Sequence, residues 1–284
     1  MDDEPGREDD GRGVRTWGTI AAALAVVVVT GGIAYVHHRA GEPRPTVSEG
    51  RSVNVTAYFL GRTASGQRLF AEQHSLTGVT GTDLQAAVTA ALGNPDDPDY
   101  HSGFPAGTTA TATDHDTYVS IDFGSRDVIT TPAHRTDPAM ALQALAWTAD
   151  QVAQRPIPVR FTVDGIPATR LLGVPVRRQI APGSEDGTLS PVSLHVGEGA
   201  TITRGSLVQG RANAFEATVE WQLRQGEQVV RHGFTTASTC CHLAPFQLRL
   251  NAPPGNYTLA VSDTDPSGGE GNGVTTDTKD IVLR

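Results

Sequence analysis

The stretch from Trp17 to Val36 constrains this chain most. It carries no charge over twenty residues and consists chiefly of Ala, Val, Ile, Leu, Gly and Thr. As a helix it reaches roughly 30 Å, the thickness of a bilayer's hydrocarbon core. Trp17 and Tyr35 stand near its ends, where aromatic rings favour the interface. A cleaved signal peptide is the competing reading. However, the preceding region is acidic (Asp2, Asp3, Glu4, Glu8, Asp9, Asp10), unlike a basic n-region. No convincing small-x-small cleavage site follows, and no cysteine is placed for a lipid anchor. An uncleaved single-pass anchor over 17–36 is therefore expected. Arg12 and Arg15 before it and Arg39 after it nearly balance the positive-inside bias. The short polar tail at 1–16 and the long region beyond make a cytoplasmic tail and an exported C-terminal region the economical arrangement.

Beyond the anchor, residues 37–52 carry Gly41, Pro43, Pro45, Ser48 and Gly50 and read as a linker. Residues 53–180 read as an α/β domain. Val53, Val55, Ala57 and Phe59 alternate with polar residues as a strand does, and a second strand is predicted at Gln67 to Gln73. Thr82 and Gln85 have capping-box spacing ahead of an apolar helical face of Leu84, Ala87, Val88, Ala91 and Leu92, and Gly93 stops the helix. Strands are predicted near 108–113 and 117–123. A second helix starts at Asp137 as cap with Pro138 in its first position. Val159, Phe161 and Val163 lead into an Asp164-Gly165 turn. The fold class is thus a mixed sheet with two helices.

Residues 181–190 read as a second linker, and 191–284 as a β-sandwich. About seven short strands are predicted there, at 206–211, around Val219–Leu223, and at 228–236, 246–250, 256–262 and 279–283 among others. Trp221 is the natural centre of that core.

The formal net charge of −9 gives no basic surface, so nucleic-acid binding is not expected. Among 22 Lys and Arg residues only Lys279 is lysine, which reads as a coding bias. No HExxH, phosphate loop, nucleophile elbow or triad setting occurs, so no enzyme is expected. Asp114-His115-Asp116, with His74 and His101 nearby in sequence, could be a metal or acid/base site, but a polar turn is the simpler reading. Asp263, Asp265, Ser267 and Gly268 resemble the opening of a calcium loop. Val274 stands where a bidentate Glu is required, so a hairpin loop is expected. His37 and His38 read as interfacial. No cofactor is implied.

Cys240 and Cys241 are adjacent. A bond between them closes a strained small ring, which an oxidising compartment permits. Two free or buried thiols, or cross-links between chains, are the alternatives.

These residues resemble a family. Leu92-Gly93-Asn94-Pro95, Phe104-Pro105-Ala106-Gly107-Thr108, Val119-Ser120-Ile121-Asp122-Phe123, the helix from Ala139 to Ala153, and Val159 to Gly165 resemble the GerMN domain of sporulation and spore-germination proteins. Asn94 stands where that family often has Gly before Pro. Gly210 to Ala217, the Trp221 strand, Ala244-Pro245-Phe246 and the strand ending at Leu283 resemble the Ig-like domain that accompanies GerMN in bacterial germination proteins. The resemblance spans about 53–284. It implies a non-catalytic binding or assembly module of the cell envelope, whose partners are the membrane and other envelope proteins or further copies of itself. The runner-up is a receptor for a wall glycan or peptide, for which Tyr58, Tyr100, Phe104 and Tyr118 are the candidate aromatics.

Overall fold

The computed structural model describes residues 50–130, 136–264 and 273–284, which belong to one compact unit. The expected membrane segment, the tail before it and nearly all of the first linker lie outside the described residues. Among the described residues, no helix is long and apolar enough to cross a bilayer. The described chain is mostly β with few helices.

A long antiparallel hairpin comes first: β1 (Arg51–Thr63) and β2 (Gly66–Val79). The alternation from Val53 holds, burying Val53, Val55, Ala57 and Phe59. The second strand runs past the expected Gln73 because β1 offers a backbone ladder as far as Arg51. Its outer half keeps only His74 buried, so apolar periodicity could not reveal it.

Helix α1 (Asp83–Leu92) starts where expected, with the Thr82 side chain accepting from Gln85 N at 3.1 Å. Gln85 does not reciprocate. Its amide donates to Ala110 O and accepts from Ala112 N, tying the helix to β3 (Ala110–Asp114). Next come β4 (Val119–Phe123), the helical turn α2 (Asp127–Thr130) and helix α3 (Pro138–Ala153). Asp137 caps α3 by accepting from Ala139 N at 2.8 Å, and Gln154 ends it in the left-handed region. Strand β5 (Val159–Val163) then pairs parallel to β4, and β6 (Ile166–Pro167) closes a sheet ordered β3-β4-β5-β6. A two-residue pair, β7 (Arg170–Leu171) and β8 (Val174–Pro175), follows.

One face of that sheet and both long helices share a core with Phe59 and Phe70 of the hairpin. Val88, Ile121, Phe123 and Leu145 lie at its centre. Each such fully buried side chain contributes about 1.5–3 kcal/mol. The other face carries the half-exposed Ser120, Asp122, Arg160 and Thr162.

The stretch 181–190, expected as a linker, is a packed connection. It contains a helical turn, α4 (Glu185–Thr188), whose Thr188 hydroxyl accepts from the Trp147 indole at 2.9 Å. Ser190 N donates to Leu69 O on β2. Polar and Gly-rich composition concealed these tertiary contacts.

Eight strands follow: β9 (Val192–Leu194), β10 (Ala200–Ile202), β11 (Leu207–Ala212), β12 (Thr218–Gln225), β13 (Gln228–Thr236), β14 (Ala244–Arg249), β15 (Gly255–Ser262) and β16 (Thr276–Leu283). They form a five-stranded sheet, β10-β16-β15-β12-β13, and a three-stranded sheet, β14-β11-β9, over a shared core. Phe246 occupies that core, in space left open by Gly210, where a Cβ would sit 2.3 Å from the ring. Trp221, expected there, is half-exposed. It pairs with Gly233 of the edge strand β13, and the absent side chain lets the indole lie towards the sheet margin.

Candidate functional site

The two cores meet at a junction built from charge. On β16 the residues Asp277, Lys279, Ile281 and Leu283 share one face by strand alternation, and all are buried. Ile281 and Leu283 enter the sandwich core. Asp277 and Lys279 instead pass under the loop that follows α1. Lys279 pairs with Asp97, both with side chains 1% exposed, and donates to Tyr100 Oη at 2.9 Å. Its ammonium also lies 4.1 Å from the Tyr100 ring centroid, a cation–π contact. Tyr100 Oη donates to Asp277 Oδ1 at 2.5 Å, and Leu194 N donates to Asp277 Oδ2 at 2.6 Å. Thr278 reaches Asp99 on the same loop.

Burial shapes the protonation of this cluster. It pushes Asp277 up to about 6, although Lys279, Tyr100 and Leu194 N all favour the ionised form. Burial likewise raises Asp97 against the pull of Lys279, and it raises Tyr100 well above its usual value, aided by Asp277. Tyr100 therefore stays a phenol that donates.

Beside it, Glu72 of β2 is buried and accepts from Asp96 N and Asp97 N at 2.9 Å each. Burial pushes its carboxyl up, but His74 and these two N–H groups outweigh that and hold it below the usual range.

An apolar seam continues the junction. Tyr58, Leu60 and Leu69 of the hairpin, Ala144 of α3 and Leu189 cluster with Leu243. A cleft of about 130 Å³ opens nearby, lined by Tyr58, Gln73, Gln151, His195 and Arg211 among others. Burial raises the Tyr58 phenol to about 12. Burial and Arg211 together push His195 down. The cleft therefore offers hydrogen-bond donors and a neutral imidazole.

The residues singled out from sequence mostly lie elsewhere. Asp114-His115-Asp116 forms the polar turn expected. Asp114 pairs with Arg155 at 2.7 Å, which lowers its pKa, and His115 stacks on Tyr118 at 4.5 Å. His101 pairs with Gln67. Asp263 accepts from Thr275 N at 2.7 Å, while Asp265, Ser267 and Gly268, like His37 and His38, lie outside the described residues. Cys240 and Cys241 are exposed and free, with Sγ atoms 2.6 Å apart, and Cys241 adopts φ 68°. Of the candidate aromatics, Tyr58, Tyr100 and Phe104 are buried. Tyr118 is covered by His115 on one side and by the Arg160 guanidinium, 3.6 Å from its centroid.

Sequence reasoning missed Glu72, Asp97, Asp277 and Lys279 as a group. The available signal was Lys279 itself, a lone lysine on the inward face of an apolar strand.

Residues 197–270 match the Gmad2 family model, the immunoglobulin-like domain of bacterial spore germination. No curated protein matches the chain by sequence. Among solved structures, the tandem GerMN domains of the sporulation protein GerM from Bacillus subtilis are similar at 15% identity and a TM-score of 0.37, covering 70% of this chain and 61% of that one. An engineered protein is similar at 16% identity and a TM-score of 0.26, covering 57% of this chain and 40% of that one. WR4, a C. elegans MSP family member, is similar at 15% identity and a TM-score of 0.17, covering 29% and 89%. This chain thus spans about three fifths of the GerM structure's length. The resemblance to the germination Ig-like domain is borne out by the family match, and a GerMN protein stands among the distant structural relatives.

Proposed function

We propose that this chain is a membrane-anchored, non-catalytic binding or assembly protein of the bacterial cell envelope, linked to sporulation or germination. Residues 17–36 anchor it, 1–16 remain in the cytoplasm, and a GerMN-like domain at 53–180 and an Ig-like β-sandwich at 191–284 lie outside. The observation that carries this reading is the Lys279 junction together with the germination-type domain it reaches into. A buried, hydrogen-bonded charge cluster fixes two domains in one orientation, which suits a scaffold that presents surfaces to partners. The half-exposed sheet face of Ser120, Asp122, Arg160 and Thr162 is the surface proposed to meet them.

A receptor for a wall glycan or peptide is the lesser reading. Sugars stack on open aromatic faces, and the four candidate rings are buried or covered.

Photo-crosslinking from position 160 in living cells, with mass spectrometry of the adducts, tests the proposal. Envelope proteins or a second copy of the chain are expected in membrane fractions. Recovery of the chain as a soluble cytoplasmic protein, or turnover of a wall substrate by the purified chain, would overturn it.

A further inference from the structure

One face of the hairpin changes character along its length. The cross-strand pairs Leu60–Leu69, Tyr58–Ala71 and Thr56–Gln73 share that face. The first pair belongs to the apolar seam with Leu189 and Leu243. The last is polar and opens into the cleft of about 130 Å³, which lies between Gln151 of α3 and the sandwich residues Leu194 to Val196 and Arg211. Ala71, the small residue opposite Tyr58, keeps the floor of this cleft low.

The polar groups around the cleft are not spent on the protein itself. Tyr58 is 7% exposed, yet its hydroxyl has no hydrogen-bond partner among the described residues. A buried phenol normally finds one. After burial itself, the charges that act on its oxygen are Arg211, Asp150 and Glu185, the charged groups around the cleft. The side-chain amides of Gln73 and Gln151 and the Thr56 hydroxyl also lack partners among the described residues. Arg211 uses Nη2 on Glu185 Oε1 at 3.0 Å and on Leu243 O at 2.9 Å, which leaves Nε and Nη1 to donate elsewhere. His195, pushed down by burial and by Arg211, is a neutral imidazole with one donor and one acceptor nitrogen. Groups from β1, β2, α3 and β11 thus converge on one cavity, as in a built binding site.

The chemistry of the lining names the ligand class. Arg211 is already paired with Glu185, and Asp150 adds a further carboxylate near the phenol, so the cleft holds no net positive charge for an anion. Tyr58 is buried beside Trp147 and presents its hydroxyl, not an open ring face on which a sugar could stack. Two glutamine amides, each with donors and an acceptor, match a peptide group, which carries one of each. The volume equals about four waters at about 30 Å³ each, room for one peptide group with a small side chain. We propose that this cleft binds an uncharged peptide segment of a partner protein, with Gln73, Gln151, Tyr58 and Arg211 meeting its backbone N–H and C=O groups. This inference rests on the reading of the chain as a binding protein, and it adds to the sheet face a second contact of defined chemistry.

The test uses the full chain in detergent, with isotope-labelled glutamine and histidine, titrated by NMR with the uncharged peptide acetyl-Ala-Ala-Ala-methylamide. Saturable shifts are expected at the Gln73 and Gln151 side-chain amides and at the His195 ring. Tyr58→Phe removes only a hydroxyl without a partner among the described residues, so the fold should stay intact. It should weaken binding about fivefold, the size of one neutral hydrogen bond. The same peptide with a free carboxylate, and N-acetylglucosamine, should each bind more weakly. Tighter binding of either overturns the proposal, in favour of a peptide terminus or a sugar. Resonances of Gln73, Gln151 and His195 that stay fixed overturn it as well, and so does equal affinity in Tyr58→Phe. Crosslinking from position 160 does not pass through this cleft, so failure here leaves the broader reading of a binding protein standing.

Discussion

The two cores and the junction between them follow opposite rules. Inside each core, alternation and helical spacing bring Phe, Leu, Ile and Val together, and Phe246 or Leu145 can be traded for another apolar residue at graded cost. At the junction the same β16 alternation brings inward an aspartate and the chain's one lysine. A buried ion pair adds little net stability over an apolar pair of equal shape, because desolvation offsets the attraction. What it supplies is a geometry that tolerates no partial loss. The cores are thus forgiving, and the junction is not.

That contrast can be broken most sharply at Lys279. Lys279→Ala strands Asp97 and Asp277 without their cation, and a loss of about 3–5 kcal/mol is expected in urea unfolding. Replacing Asp97 and Lys279 together by apolar residues should recover the part of that loss that comes from stranding Asp97. If the double variant is no better than the single one, the junction is not an ion pair in the energetic sense.

Phe246→Ala, in the second core, should cost about 3–4 kcal/mol. Its effect should add to that of a conservative change such as Leu145→Val in the first core, as expected for separate packing sites. Urea titration of the two single variants and the double variant measures this.

Asp277 gives a pH signature. Its folded-state pKa of about 6 exceeds the ordinary 3.8. The folded state therefore holds the extra proton between those values, and the group's contribution becomes more favourable as pH falls from about 7 towards 4. The wild type should gain about 2–3 kcal/mol relative to Asp277→Asn over that range. Glu72 works the other way. Its lowered pKa contributes stability that is present at neutral pH and lost as pH falls through the folded value. A flat difference between wild type and Asp277→Asn would remove the charged cluster from the account.

Gln85→Ala should cost about 1 kcal/mol by releasing Ala110 O and Ala112 N from their side-chain partner. A thermal scan suffices to see it. The smallest effect concerns Cys240 and Cys241, for which we propose that oxidation closes the vicinal ring. Intact mass after alkylation without reductant should then show no added label on the oxidised chain, whereas two labels exclude the ring.

The contrast also explains what was legible in the sequence. Helix α3 could be read from Asp137, Pro138 and the Leu142–Leu145–Ala149 face because local chemistry sets both its start and its buried side. Strand β13 at 228–236 followed from the Gln225-Gly226 turn and the strand that precedes it. The outer half of β2 was hidden because its pairing, and not its side chains, holds it. The junction was hidden for another reason. Asp97 and Lys279 are 182 positions apart, and no local rule marks a charge as buried until its partner is known. Lys279 was conspicuous only as an exception in composition, and its place between Asp277 and Ile281 was the usable clue.

Calorimetric unfolding of the full chain tests the central claim most directly. If the Lys279 cluster joins both cores into one body, the wild type should melt in a single transition. Lys279→Ala should then split it into two, with one domain melting well before the other. Two resolved transitions in the wild type would contradict the account, and so would a single unsplit transition at unchanged temperature in the variant.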